Sequence, residues 1–220
     1  MRRVAVWLAV CTLSGCALPG TEQASRPEPS AQDRYVEIAL SCEFADCPVG
    51  VVKPAGDVSV IVHTDMTPEQ EQALSTTIAQ WNAACASHPL TRDGSSEAVM
   101  DYYFVPEAGM RYVLPIYVEG NVGLFTYDWD GSNVLTGMAV AIATELEGDE
   151  LTHFVLEETT QAMGLINDVA DSRSIFDGGT GRTTTYSALD LEVIELHCSS
   201  AITPGMVEAE LPNAGERGLD

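Results

Sequence analysis

Positive charge is what this sequence has least of. Ten lysines and arginines stand against 33 aspartates and glutamates, a formal net charge of −23 over 220 residues. A surface of that sign repels phosphate backbones and anionic headgroups, so nucleic acid is excluded as a partner. No G-x-S-x-G elbow occurs, which removes the Ser-His-Asp hydrolases built on that turn. The glycines at 178–181 neither follow a strand nor open a helix, so no phosphate-cradling loop is present. Internal repeats are absent, and the apolar run at 4–13 is too short to span a bilayer. Histidine is limited to four positions. Of these, His63, His88 and His197 read as ordinary surface or core residues.

The first twenty residues, MRRVAVWLAVCTLSGCALPG, have the layout of a secretory signal: Arg2 and Arg3, a short apolar stretch, then small residues. Leu13-Ser14-Gly15-Cys16 resembles a bacterial lipoprotein processing site. That resemblance implies a signal peptide over 1–15, a lipid on Cys16, and a tether over 16–34 rich in Pro, Ser and Glu. Ala17 after the cysteine favours the outer membrane. The compartment expected is therefore extracytoplasmic, lipid-anchored and facing the periplasm. Residues 35–206 suit one domain with a real core, and 207–220 form an acidic tail with little to bury. Cys42, Cys47, Cys85 and Cys198 then remain. In an oxidising compartment they allow two disulfides in three pairings. The favoured set is Cys42–Cys47, a local staple, and Cys85–Cys198, which ties an early helix to the last one.

The chain is organised around residues 149–168, DELTHFVLEETTQAMGLIND. Asp149 is an acceptable N-cap, Glu150 suits a first turn, and Gly164 is the residue type that closes a helix in a left-handed conformation. Leu151, Phe154, Val155 and Ala162 share one face. Glu158 falls inside that apolar sector, where a carboxylate is unusual. Glu157 and Gln161, four residues apart, project side by side, with His153 one turn earlier and Asn167 and Asp168 beyond the glycine.

Elsewhere the patterns read as strands over 35–40 and 58–63, and a helix capped by Thr67 with Pro68 and Gln70 running through Leu74, Ile78, Trp81 and Cys85. Trp81 reads as core. A strand over 98–105 follows, then 106–123, which no pattern places. An edge strand over 123–130 and its hairpin partner over 134–143 deliver the chain to the central helix. Tyr127 and Trp129 read as cleft lining or as plain packing. The last helix starts at Ser187, with Asp190 closing its capping box. The order predicts an α+β domain: a mixed twisted sheet, a central motif helix and a C-terminal helix.

Glu157-Glu158-x-x-Gln161-x-x-Gly164-x-x-Asn167-Asp168 has the spacing of H-E-x-x-H-x-x-G-x-x-H-D, so the segment resembles a metzincin zinc-protease helix with all three histidines replaced. Phe176, in Ser174-Ile175-Phe176, sits where the metzincin turn has its methionine. Together with Tyr186-x-x-Leu189-Asp190 and Pro204-Gly205-Met206, these motifs resemble a bacterial exported or lipoprotein family known only as a domain of unknown function. The resemblance implies a zincin-like fold and leaves activity open. Carried onto this chain, Glu157, Gln161 and Asn167 would be metal ligands, His153 an extra nitrogen ligand, and Glu158 the general base. Carboxamides hold zinc poorly. The leading expectation is thus a non-catalytic binding or envelope-maintenance domain with no cofactor, docking a peptide or envelope protein in its cleft. The alternative is a metallohydrolase holding a divalent cation.

Overall fold

The computed structural model describes residues 29–41, 48–178 and 182–212. Cys16, Cys42 and Cys47, and with them the lipidation site and the local staple, lie outside these residues. Five strands form one sheet in the order β2-β1-β3-β5-β4. β1 (Val58–Val62), β2 (Leu90–Thr91), β3 (Ala98–Val105) and β5 (Leu135–Ala143) run parallel, and β4 (Gly123–Trp129) pairs antiparallel with β5 at the edge. The α+β architecture with a mixed sheet is therefore the one anticipated.

The helices obey their capping chemistry. α2 (Pro68–Ala84) opens on Thr67 with both halves of its capping box formed, and Trp81 on it is fully buried. α5 (Ala188–Cys198) opens on Ser187 with Asp190 completing the box. α4 (Gly148–Ala162) starts slightly earlier than expected. Its N-cap position is Glu147, which makes no side-chain cap bond, while Asp149 and Glu150 lie in the first turn. The Gly148 N–H is taken instead by the Glu69 carboxyl at 2.7 Å.

One element differs from the sequence expectation. Residues 35–40 are not a strand but the end of α1 (Ala31–Ala39), whose capping box joins Ser30 and Asp33. The folded part thus starts inside the stretch expected to be tether. α1 packs on α5, where Tyr35 meets His197, and its Tyr35 and Ile38 have no exposed surface. At the other end Leu211 is buried, beyond the expected domain limit at 206.

Strand alternation divides the core in two. Phe125, Met138, Val140 and Ile142 face the main core beneath α2 and α4. Leu124 and Ala141 point the other way, where Met110 and Leu114 cover them. The unplaced segment at 106–123 therefore carries a short helix, α3 (Met110–Val113), that roofs the far face of the sheet edge.

A polar junction ties the ends of the helices together. The Tyr35 hydroxyl donates to His197 Nδ1 at 3.0 Å, and His197 Nε2 meets the Met163 carbonyl at 3.1 Å. Burial drives the His197 pKa down to about 3, so the ring is neutral. With its proton on Nε2 for Met163, Nδ1 is the acceptor for Tyr35. Beside it, the ammonium of Lys53 donates to the carbonyls of His197, Ile202 and Ser199 at 2.6, 3.1 and 3.4 Å, closing the C-terminal end of α5. Burial lowers the Lys53 pKa to about 8. The Cys85–Cys198 disulfide, one of the two favoured pairs, joins α2 to α5 across 113 residues.

Replacing Cys85 and Cys198 together by serine is expected to cost about 2–5 kcal/mol, because the bridge restrains a long loop in the unfolded chain. Urea unfolding of the two proteins under non-reducing conditions measures it, and an unchanged midpoint would contradict the assignment.

Candidate functional site

A cleft of about 240 Å³ lies between the start of β4 and α4. One wall is the run Gly120 to Phe125. The other is α4 from His153 to Gln161, with Asp168, Asp177, Gly178 and Arg182 closing the end. Alternation along α4 does not describe this wall, because every residue from Val155 to Ala162 is buried. Glu157 and Gln161 are therefore not a solvated helix face.

Gly123 makes the close approach of the two walls feasible. A Cβ there would meet Glu158 Oε1 at 2.6 Å and Phe154 Cδ1 at 2.8 Å. Glu158 consequently lies against the β4 backbone, buried, within electrostatic reach of the buried Tyr102 hydroxyl. Its side chain lines the cleft.

His153 and Glu157 form one unit. His153 Nδ1 is 2.8 Å from the Thr183 carbonyl, which can only accept, so Nδ1 carries a proton. Nε2 lies 3.2 Å from Glu157 Oε2. The pair then shares a single further proton: Nε2–H donates to a carboxylate, or a protonated carboxyl donates to Nε2. Burial alone would lower the His153 pKa, but the bond and charge of Glu157 outweigh it and the value is raised. Glu157 is raised as well, first by burial and also by Asp168 and Asp177, against the pull of His153. Asp168 is raised by burial and by Asp177, while its bond from Gln161 opposes the shift.

The proposed ligand set does not assemble. Gln161 Nε2 donates to Asp168 Oδ1 at 2.7 Å. Asn167 is turned out of the cleft: its amide donates to the Glu37 carbonyl at 3.0 Å and to the Asp168 carbonyl at 2.9 Å, and its own N–H bonds Ile38. Asp168, which the sequence places beyond the glycine turn beside Asn167, is the one that faces Gln161. Asp177 and Arg182 were missed altogether. The only signal for them was position, since Asp177 ends the S-I-F-D run. Tyr127 packs on the core, and neither it nor Trp129 lines the cleft. Phe176 is fully buried, and its turn is held by Asp190, which accepts from Ser174 Oγ at 2.6 Å and the Ile175 N–H at 3.1 Å.

Zinc does not suit these donors. His153 Nε2 is committed to Glu157, Gln161 offers an amide, and Asn167 is absent from the cleft. Among the described residues, three ligand atoms close enough for one ion occur at Cys85, His88 and Cys198. There both sulfurs are already joined to each other.

Residues 28–214 match the family described as a protein of unknown function, DUF2927. The chain belongs to this family. No curated protein matches it. Among solved structures, the chain is similar to high choriolytic enzyme 1 (HCE-1), a hatching enzyme zinc-protease from Oryzias latipes (medaka fish). The TM-score is 0.38 at 8% identity, covering 70% of this chain and 96% of that one.

The raised Asp168 pKa has a definite sign. A carboxyl held above its unfolded value makes the folded state lose stability as pH rises through the folded pKa. Asp168→Asn keeps the oxygen that accepts from Gln161 but cannot ionise. It is expected to match the parent melting temperature near about pH 4 and to exceed it near about pH 7, at about 2–4 °C per kcal/mol for a chain of this size. A gap independent of pH, followed by differential scanning fluorimetry, would refute the assignment.

Proposed function

We propose that this chain is a zinc-independent binding domain on a metzincin-like frame, exported and anchored by lipid on Cys16 at the outer membrane, and serving the envelope by capturing an extended peptide. The observation that carries the reading is the Gln161–Asp168 bond, flanked by His153–Glu157: Glu157 and Gln161, two of the three residues at the metzincin ligand spacing, are each committed to a neighbouring side chain. Buried polar groups satisfied in this way stabilise the wall of a cleft without an ion. Among the described residues β4 ends the sheet, which is the position from which an added strand would pair. The lipid attachment and the compartment rest on the sequence pattern at residues 1–16.

Metal content decides between this reading and a metallohydrolase with Glu158 as base. The full chain, dialysed without chelator, is expected to contain no stoichiometric divalent ion by mass spectrometry, and zinc, calcium or manganese should leave its melting temperature unchanged. One equivalent of a divalent ion that disappears in Glu157→Ala would overturn the binding reading and restore the hydrolase.

A further inference from the structure

We propose that Cys85, Cys198 and His88, which lie outside the cleft, form a site that binds zinc once a dithiol reductant has opened the disulfide. The inference is independent of the peptide-binding reading above.

Three donors of the kinds zinc prefers meet here. Both sulfurs and one ring nitrogen of His88 lie within 4.8 Å of one another. His88 Nδ1 stands 3.8 Å from Cys85 Sγ. A thiolate and an imidazole nitrogen on one tetrahedral zinc are about 3.5 Å apart. The Cα atoms of the two cysteines are 5.5 Å apart. Once the bond between them is broken, side-chain rotation sets the sulfurs at about 3.7 Å, the separation of two thiolates on one zinc. The cysteines sit at the ends of α2 and α5, so the metal takes over the link between those helices.

The imidazole is held ready for this role. Trp81 Nε1 donates to the His88 carbonyl at 2.8 Å, which fixes the backbone after α2. Ser87 Oγ lies 2.7 Å from Nδ1 and gives its one proton to the Cys198 carbonyl, also at 2.7 Å. With the disulfide closed, Nδ1 therefore carries a proton and donates to Ser87. Coordination through Nδ1 moves that proton to Nε2, with no net change on the ring. Three protein ligands leave the fourth position of a tetrahedral zinc to water. Cys85 is fully buried, but Cys198 is only partly buried and Ser87 is exposed, so the site lies just below the surface.

The opening step balances. One thiolate of the dithiol attacks Sγ of Cys198, the less buried cysteine, and Cys85 leaves as a thiolate. The second thiol of the reductant then resolves the mixed disulfide and frees Cys198. Two electrons pass to the cysteine pair and the dithiol becomes a disulfide. Its two protons end on the cysteines, and zinc binding releases them.

The test is zinc content, cobalt(II) absorption and melting of the full chain before and after reduction with a phosphine, which adds no thiol. The reduced chain is expected to hold one more equivalent of zinc than Cys85→Ser/Cys198→Ser, a variant that leaves Cys42 and Cys47 in place. It should also show thiolate-to-cobalt charge-transfer absorption and melt higher with zinc than without. His88→Ala keeps the carbonyl that Trp81 uses and is expected to weaken zinc binding by the reduced chain at least about tenfold. With the disulfide closed, the site is expected to take up no zinc. Equal zinc in the reduced parent and the double serine variant would overturn the proposal, as would unchanged affinity in His88→Ala. If the serine variant fails to fold, His88→Ala, which retains the disulfide, decides alone.

Discussion

The structure depends on how α4 ends. Gly164 adopts φ +106°, and a Cβ at that position would fall 2.1 Å from the Val52 carbonyl oxygen. Only glycine permits the helix terminus to press this closely on the 51–53 segment. The neutral His197 ring then completes the closure by taking the Met163 carbonyl, and Tyr35 holds the ring from α1. Because the turn has one geometry, the residues after it have assigned places. Asn167 reaches α1 and Asp168 returns to Gln161. Three helices and the site wall are therefore fixed by a single left-handed residue and a single uncharged imidazole.

Three polar side chains of the motif have bonding partners within the protein. Glu157 holds His153, Gln161 holds Asp168, and Asn167 holds the α1 backbone. Ser174 and Asp190 lock the turn to the last helix, while Tyr186 meets the Thr160 hydroxyl at 2.7 Å. These residues together form a hydrogen-bonded framework. The interior polar groups of such a framework must be satisfied together, since leaving one unpaired costs about 1–3 kcal/mol.

The sequence was legible wherever chemistry is local. The capping boxes at Thr67 and Ser187, the glycine stop at 164 and the buried Trp81 follow from residues a few positions apart. The α1 error had a local cause too: Tyr35, Ile38 and Ala39 suit a helix face, but the β-branched enrichment around them suggested a strand, and Ser30–Asp33 was read as tether. What could not be read is long-range. Whether Asn167 or Asp168 faces Gln161 depends on where α1 lies. Asp177 and Arg182 reach the cleft through a loop whose course no periodicity encodes.

Lys53 is the sole lysine of the chain, and the fold seals its amine against the end of α5. Native protein accordingly presents no side-chain amine to acylating reagents, to acetyl- or methyltransferases, or to proteases that cut after lysine. Outward positive charge falls to arginine and histidine, and a guanidinium keeps its proton at every pH a cell encounters.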